Sequence, residues 1–225
     1  MSKTKPFPLL SDYDAIIFDM DGVLIDSEPL WKIAMEFVFG QYGSTLTHQD
    51  FQKTVGLRID EVIAFWNAHE NWGLQDLQIV EDQIIHKLIS LIEQNPQPLP
   101  GVLDMLAFLQ AAPQKIGLAT SSSQKLIETV LRCLEITHYF DFTYSAEFEP
   151  YGKPHPGVYI KVAEALDVQA QRCMVIEDSF NGVLSGLAAK MKVCCIPEKT
   201  HLPNPRLAVA DFEFTDLGQL LATWR

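Results

Sequence analysis

The sequence is short of cysteine and of positive charge. Its 225 residues include 4 cysteines, none in a CxxC or Cys/His spacing, so we expect buried apolar thiols in a reducing compartment and no zinc site. The 17 Lys and Arg residues are outnumbered by 29 Asp and Glu residues, which gives a formal charge of −12. A field of this sign repels polyanions, and we therefore expect no nucleic-acid partner.

The sequence also lacks a long apolar run. No stretch is long enough to cross a bilayer, and Pro and Asp interrupt the N-terminal residues before a signal-peptide core forms. We therefore expect a cytoplasmic protein without a membrane partner, and because nothing in the pattern demands a second chain we expect a monomer. Hydrophobic residues make up 48% of the chain and charged residues 20%, which is typical of a globular protein with a sizeable core.

Apolar runs of strand length alternate with segments of helical length over most of the chain. The strand-like runs span residues 14–18, 115–119, 173–176 and 192–196, with shorter runs at 142–144 and 212–214. The helical segments between them span residues 102–111, 125–134, 156–166 and 181–189. Strands that are apolar throughout and alternate with helices predict an α/β fold, in which a parallel sheet is covered on both faces.

Residues 29–98 follow a different pattern. Apolar residues recur there at helical periods over residues 30–42, 59–69 and 77–93, with no convincing strand among them. A Pro-rich stretch at residues 95–101 cannot continue a helix and makes a hinge back to the α/β part. We therefore predict a core formed by residues 1–28 and 99–225, with residues 29–98 inserted as an all-helical domain.

Carboxylates follow two of the predicted strands. Asp19 and Asp21 come directly after the first run, before a glycine that permits a sharp turn, and Glu177 and Asp178 end the run at 173–176. The carboxyl ends of parallel strands share one rim of the sheet, so up to four carboxylates converge. Each like-charged pair at about 4 Å costs roughly 4 kcal/mol at a dielectric near 20, so the cluster requires a cation. Mg²⁺ suits an all-oxygen site of this kind.

The residue types beside these carboxylates point to a phosphate. Thr120 and Ser121 lead from a strand into a predicted helix, where hydroxyls and backbone N–H groups favour an anion. Lys153 lies between Gly and Pro before another helix, and an ammonium there offsets the charge of a phosphate and of a nucleophile. Taken separately, Thr120 also fits a plain helix cap, and so do Glu177 and Asp178.

Four short motifs together resemble those of the haloacid dehalogenase superfamily. Residues 19–28 resemble its first motif, Thr120 the second, residues 152–154 the third and residues 177–179 the fourth, in the family's order. A helical insert directly after the first motif is similar to the subfamily with a small helical cap, which includes β-phosphoglucomutase and sugar-phosphate phosphatases. The resemblance implies a Rossmann-like parallel-sheet core with an inserted all-helical cap domain.

The resemblance also implies roles for individual residues. Asp19 is the expected nucleophile, which forms an aspartyl-phosphate, while Asp21 protonates the leaving alkoxide and then activates water. Thr120 and Ser121 are expected to bind phosphoryl oxygens, and Lys153 to bridge the phosphate and the nucleophile. The expected Mg²⁺ ligands are Asp19, Asp21 through its carbonyl, Asp178 and Glu177.

Substrate contacts are expected from the cap and its hinge. The segment Val55–Arg58 resembles the family's cap loop that reaches into the site, so Gly56 and Arg58 are candidate substrate contacts. Arg58 also has the helical spacing to pair with Glu61 on a solvated face. Glu28 at the hinge is a candidate for sugar hydroxyls, and Asn181 fits either a ligand contact or the start of a helix.

Departures from the family's other branches favour hydrolysis. The haloacid dehalogenases themselves lack the second Asp of the first motif, so Asp21 argues against dehalogenation. The β-phosphoglucomutases have a His where this chain has Trp31, and residues 26–31 are closer to hexose- and 2-deoxyglucose-6-phosphate phosphatases. We expect a Mg²⁺-dependent phosphatase of small phosphorylated sugars. The alternatives are a phosphosugar mutase and a non-catalytic phosphometabolite-binding module, the latter disfavoured because the motif residues are intact.

Overall fold

Six parallel strands form one sheet in the computed structural model, which describes residues 8–47, 49–54, 56–197 and 204–225. The strands are β1 (Ala15–Phe18), β2 (Lys115–Thr120), β3 (Phe142–Ser145), β4 (Cys173–Glu177), β5 (Lys192–Cys195) and β6 (Phe212–Glu213). Their order is β3-β2-β1-β4-β5-β6, so the chain builds outward from β1 in both directions. In open sheets of this kind the crevice beside the central strand, at the carboxyl ends, is where ligands bind.

Helices cover both faces of this sheet. The helices of the α/β part are α4 (Val102–Gln110), α5 (Gln124–Cys133), α6 (Gly157–Ala165), α7 (Phe180–Ala188) and α8 (Leu217–Trp224). Ile16 and Phe18 of β1 pack in one apolar cluster with α4, α5 and α8, whereas Ala15 and Ile17 pack in a second cluster with α6 and α7. Side chains alternate between the faces of a strand, so a strand covered on both sides is apolar throughout, as the sequence predicted.

The inserted segment is helical. It contains α1 (Glu28–Gly40), α2 (Ile59–Glu70) and α3 (Leu77–Gln94), with a short 3₁₀ helix at Asp50–Thr54. Helix α3 contacts α1, α2 and helix α5 of the sheet-bearing part, and its buried residues recur at helical spacing. These features confirm the predicted fold class, a parallel-sheet core with an all-helical cap.

The two crossings between core and cap run side by side. The backbone N–H of Leu99 donates to the carbonyl of Leu24 at 3.0 Å, and Ile25 and Pro98 form an antiparallel bridge. The boundaries predicted for the domains, 1–28 and 99–225 against 29–98, fall next to this pair and stay a prediction. Within the described part of the chain, no helix is both long and apolar enough to cross a membrane.

Candidate active site

A buried lysine joins two carboxylates at the carboxyl end of the sheet. Lys153, which is 2% exposed, lies with its Nζ 3.1 Å from Asp19 Oδ1 and 2.7 Å from Glu177 Oε1. Asp19 follows β1 and Glu177 ends the neighbouring β4, so the central pair of strands places both carboxylates. The ammonium donates to Glu177 Oε1, to the Tyr159 hydroxyl at 3.0 Å and to the carbonyl of Ala119 at 3.2 Å.

The charges of this group are strongly coupled. Burial raises the pKa of Asp19 to about 7, with Glu177 and Asp21 acting in the same direction and Lys153 against them. Burial acts to lower the pKa of Lys153, but the carboxylates of Asp19 and Glu177 outweigh it and raise that pKa above its usual value. Burial likewise acts against the charged form of Glu177, but the Lys153 ammonium holds the pKa of that carboxyl below its usual value. The lysine therefore stays charged.

Both oxygens of Glu177 are engaged. Oε1 accepts from Lys153 and from the Tyr159 hydroxyl at 2.7 Å, and Oε2 accepts from the backbone N–H groups of Asp178 and Ser179, each at 3.0 Å, and from the Ser179 hydroxyl at 3.1 Å. A Cβ at Gly182 would lie 1.7 Å from Oε1, so this glycine is needed for the carboxylate to sit here. The arrangement suits Glu177 to fixing Lys153 and the β4–α7 turn.

Three acidic residues form a cluster of the kind that can hold a metal ion. One oxygen from each of Asp19, Glu177 and Asp178 lies within 4.8 Å of the others. Asp19 Oδ1 is buried, and its contact among the described residues is the ion pair with Lys153 Nζ at 3.1 Å. Gly22 has a φ of +71°, and a Cβ there would lie 1.9 Å from Asp178 Oδ2, so only glycine admits that carboxylate. The donor set is all-oxygen, which suits Mg²⁺.

Three side chains donate hydrogen bonds to the carboxylate of Asp21. Ser27 Oγ and Trp31 Nε1 donate to Oδ1, the latter at 3.1 Å, and Ser122 Oγ donates to Oδ2 at 2.6 Å. Sequence reasoning assigned Asp21 but none of these three donors. Their spacing from Asp21 gives no signal, since the contacts depend on how the cap and the β2–α5 turn meet.

The β2–α5 turn provides the predicted phosphate-facing residues. Thr120 ends β2 and is 1% exposed, and its Oγ1 accepts from the backbone N–H of Ser122 at 3.2 Å. The Ser121 hydroxyl donates to the carbonyl of Gly56 in the cap at 3.4 Å. Thr120 and Ser121 both line the cavity that faces Asp19 and Lys153.

That cavity lies between core and cap and measures about 90 Å³. Its core side is formed by residues that follow the strands, namely Asp19, Asp21, Gly22, Thr120, Ser121, Ser122, Lys153, Asp178 and Ser179. Its cap side is mostly apolar and consists of Glu28, Trp31, Met35, Phe51, Thr54, Gly56, Leu57, Ile59 and Val62. Small-molecule sites usually measure about 300–1,000 Å³, so the cavity in this structure is smaller than a typical small-molecule site.

Three predicted site residues lie outside the cavity lining. The guanidinium of Arg58 donates to the core carbonyls of Ala146 at 3.2 Å and Glu149 at 2.8 Å, and pairs with Asp60 at 3.0 Å. Arg58 therefore joins cap to core in this structure.

The other two predicted residues belong to the core. Asn181 lies in the first turn of α7, and Glu177 lies beneath the cavity. Val55, part of the predicted cap loop, lies outside the described residues.

Comparison with known proteins establishes the family. The sequence model of the haloacid dehalogenase-like hydrolases matches residues 16–196, which contain nearly all of β1, strands β2 to β5, the cap and all four motifs. This chain belongs to the haloacid dehalogenase-like hydrolase family. A crystal structure of β-phosphoglucomutase from Clostridium difficile superposes with a TM-score of 0.83 at 25% identity, covering 92% of this chain and 93% of the other. The core and the helical cap thus match those of a solved relative.

Two curated relatives are phosphatases of phosphorylated sugars or sugar alcohols by name. Hexitol phosphatase B from Escherichia coli K12 is 38% identical over 209 residues, covering 92% of this chain and 94% of the relative. A phosphorylated carbohydrates phosphatase from Thermotoga maritima is 32% identical over 183 residues, covering 78% of this chain and 81% of the relative. These relatives confirm the predicted enzyme class, a phosphoric monoester hydrolase.

Proposed function

We propose that this protein is a Mg²⁺-dependent phosphatase that hydrolyses hexose and hexitol monophosphates through an aspartyl-phosphate on Asp19. The observation that carries the proposal is the buried contact of Lys153 with Asp19 and Glu177. Lys153 and Asp19 line a cavity that Asp21, Thr120 and Asp178 also line. A nucleophile, an acid, phosphate donors and a cation site thus face one space.

The first step transfers the phosphoryl group to the enzyme. A carboxylate oxygen of Asp19 attacks phosphorus, and the bond to the sugar oxygen breaks as Asp21 gives that oxygen a proton. Thr120 and the backbone N–H of Ser121 bind the phosphoryl oxygens, while the Lys153 ammonium offsets the charge that gathers between phosphate and nucleophile.

The second step releases phosphate. Asp21, now without its proton, accepts one from a water molecule, which attacks the phosphorus of the aspartyl-phosphate. The bond between phosphorus and Asp19 breaks and inorganic phosphate leaves. The closed cap over the cavity limits which hydroxyl groups reach the intermediate.

Asp19 and Asp178 would hold Mg²⁺ with carboxylate oxygens and Asp21 with its carbonyl, with Glu177 nearby. When bound, the ion supplies positive charge beside the phosphoryl oxygens and favours the ionised form of the nucleophile. Glu177 acts mainly on Lys153, because its oxygens already accept five hydrogen bonds.

Sugar monophosphates suit the cap side of the cavity. Glu28 and Thr54 offer oxygen atoms for sugar hydroxyls among the apolar side chains of the cap. Gly56 lines the same surface, and Arg58 and Asn181 would reach a substrate only after the cap has moved. The similarity to phosphatases of hexitol and carbohydrate phosphates supports this substrate class. The predicted cytoplasmic location and monomeric state, and the narrower preference for 2-deoxyglucose 6-phosphate, stay predictions.

Phosphate release from a panel of sugar monophosphates tests the proposal. The panel contains hexose 6-phosphates, hexitol phosphates and β-glucose 1-phosphate, each assayed with Mg²⁺ and after removal of metal by EDTA. We expect release that requires the metal, is restored by adding it back and favours hexose and hexitol esters.

Two outcomes would contradict the proposal. Conversion of β-glucose 1-phosphate to the 6-phosphate with little phosphate release would show a phosphosugar mutase. Tight binding of sugar phosphates without release or conversion of any panel member would show a binding module.

A further inference from the structure

A second buried lysine lies in the cap, beside the cavity. Lys32, in helix α1, is 8% exposed, and its Nζ lies 3.2 Å from Oε1 of Glu28, one helical turn earlier. The other buried residues of α1 are apolar, namely Ala34, Met35, Val38 and Phe39. A lysine is rarely buried unless a partner offsets its charge, and an apolar side chain would fill the same space. Packing of the cap alone therefore does not explain an ammonium group at this position.

The partner of this lysine faces the cavity. Glu28 belongs to the cavity lining, whereas Lys32 lies behind that lining. Among the described residues on the cap side of the lining, Glu28 alone carries a charge. Thr54 provides another side-chain oxygen there, and its hydroxyl donates to the carbonyl of Phe51 at 3.1 Å. The carboxylate of Glu28 is therefore the strongest hydrogen-bond acceptor that the cap side offers to a substrate.

A carboxylate at this place selects for hydroxyl groups. An ionised carboxylate only accepts hydrogen bonds and has about four lone-pair positions, so an oxygen paired with Lys32 can accept further bonds. Bonds from a hydroxyl to a carboxylate are charge-assisted and stronger than those between neutral groups. A glutamate side chain is flexible, and an ion pair that already restricts it lowers the entropy lost when a substrate binds.

We propose that Lys32 is a positioning residue for substrate selection, whose ammonium group holds the Glu28 carboxylate where it accepts hydrogen bonds from the hydroxyl groups of a polyhydroxy monophosphate. The inference rests on the proposed function, since it takes the cavity to bind the sugar part of the substrate. Lys32 acts through Glu28 and does not touch the substrate. The pair favours phosphates of sugars and sugar alcohols over phosphates of plain alcohols of the same length.

Two substrates that differ in their hydroxyl groups measure this selection. Sorbitol 6-phosphate and n-hexyl phosphate are both six-carbon primary phosphate esters, but only the first carries further hydroxyl groups. The readout is the ratio of their kcat/KM values. We expect Lys32→Met to lower this ratio about tenfold, mainly through the KM of sorbitol 6-phosphate, as for one weakened charge-assisted hydrogen bond. Turnover of n-hexyl phosphate should change less than about twofold, and Lys32→Arg, which keeps the charge, should recover much of the ratio.

A double-mutant cycle tests whether Lys32 acts through Glu28. Glu28→Gln keeps the size of the side chain but removes its charge, so we expect the ratio to fall about tenfold. In that background Lys32→Met should lower the ratio by less than about a further twofold. Lys161→Met is the matched control, since its ion pair with Glu164 on α6 is exposed, and it should change neither the ratio nor the melting temperature.

The outcomes separate failure of this inference from failure of the proposed function. If Glu28→Gln lowers the ratio but Lys32→Met does not, the inference about Lys32 is wrong. Equal losses on both substrates in Lys32→Met, with a lowered melting temperature and no recovery in Lys32→Arg, would show a purely structural lysine. Equal turnover of both substrates by the unaltered enzyme would refute the selection while leaving the phosphatase in place. Release of phosphate from neither would contradict the proposed function itself.

Discussion

On the core side of the cavity, polar atoms are buried and bonded to one another, whereas the cap side presents mostly apolar side chains and few fixed charges. Most of the core residues lie at or directly after the ends of β1, β2 and β4, where the register of those strands sets their positions, and Lys153 lies in the segment between β3 and α6. The cap residues come from α1, from α2 and from the segment that joins these two helices. From this difference we propose that the core side performs the chemistry, while the cap side selects the substrate and excludes water.

Replacing the nucleophile should give the largest effect. Asp19→Asn removes the attacking carboxylate but keeps its size, so we expect kcat to fall by about 10⁴-fold or more. Phosphate binding, measured by calorimetry in the presence of Mg²⁺, should persist because the other donors are unchanged. Asp104→Asn on the exposed surface of α4 is the matched control and should keep full activity. Substantial turnover by Asp19→Asn would mean that another residue is the nucleophile.

Removing the buried ammonium group of Lys153 should impair both activity and folding. Lys153→Met leaves the carboxylates of Asp19 and Glu177 buried without their counter-charge, so we expect the free energy of unfolding to fall by about 3–5 kcal/mol. We expect kcat to fall by about 10²–10³-fold. Denaturant unfolding and steady-state kinetics measure the two effects.

The double variant Lys153→Met/Glu177→Gln sharpens this prediction. Neutralising Glu177 removes one of the two unpaired charges, so part of the lost unfolding free energy should return while kcat stays low. A double variant that regained activity together with stability would show that Lys153 contributes only to folding.

A smaller effect is expected at the contact between cap and core. Arg58→Met keeps the aliphatic stem that packs beside Gly152 but loses the hydrogen bonds to the carbonyls of Ala146 and Glu149. We expect kcat/KM to fall about tenfold, alike for sugar phosphates and p-nitrophenyl phosphate, because closure of the cap is weakened. Arg132→Met is the control, since its cap–core ion pair with Glu93 is exposed and should contribute little. A loss confined to sugar phosphates would support Arg58 as the substrate contact that the sequence predicted.

The smallest effect is expected at Tyr159. Tyr159→Phe removes the hydroxyl that accepts from Lys153 and donates to Glu177, while the ring stays in place. We expect the unfolding free energy to fall by about 1 kcal/mol and kcat by about two- to threefold, since Glu177 still holds Lys153 directly. Steady-state kinetics and denaturant unfolding provide the check, and a loss of kcat as large as that of Lys153→Met would make the hydroxyl essential.

The core was predictable from sequence because its signals are local. Strands buried on both faces are uninterrupted apolar runs, and the residues that end them must lie on one rim of a parallel sheet. Asp19, Thr120 and Glu177 were predicted in this way, and each lies at or directly after the end of a strand. Helix α8 (Leu217–Trp224) was missed, because eight residues give little periodicity.

The side-chain contacts around the site were not predictable, because they join different elements of the fold and depend on how those elements pack. Tyr159 has the spacing of an ordinary core residue, and its bond to Glu177 links positions 18 residues apart. The contacts of Arg58 with Ala146 and Glu149 span 88 and 91 residues and depend on how the cap sits on the core. The indole N–H of Trp31 reaches Asp21 only because α1 turns back over the site.

The phosphoryl-enzyme intermediate tests the central claim most directly. The enzyme is quenched in acid during turnover of a sugar monophosphate with Mg²⁺, digested and analysed by mass spectrometry. The account predicts one phosphoryl group on the peptide that contains Asp19, lost on treatment with hydroxylamine and absent from Asp19→Asn. A phosphoryl group on a different peptide, or undiminished turnover by Asp19→Asn, would contradict it.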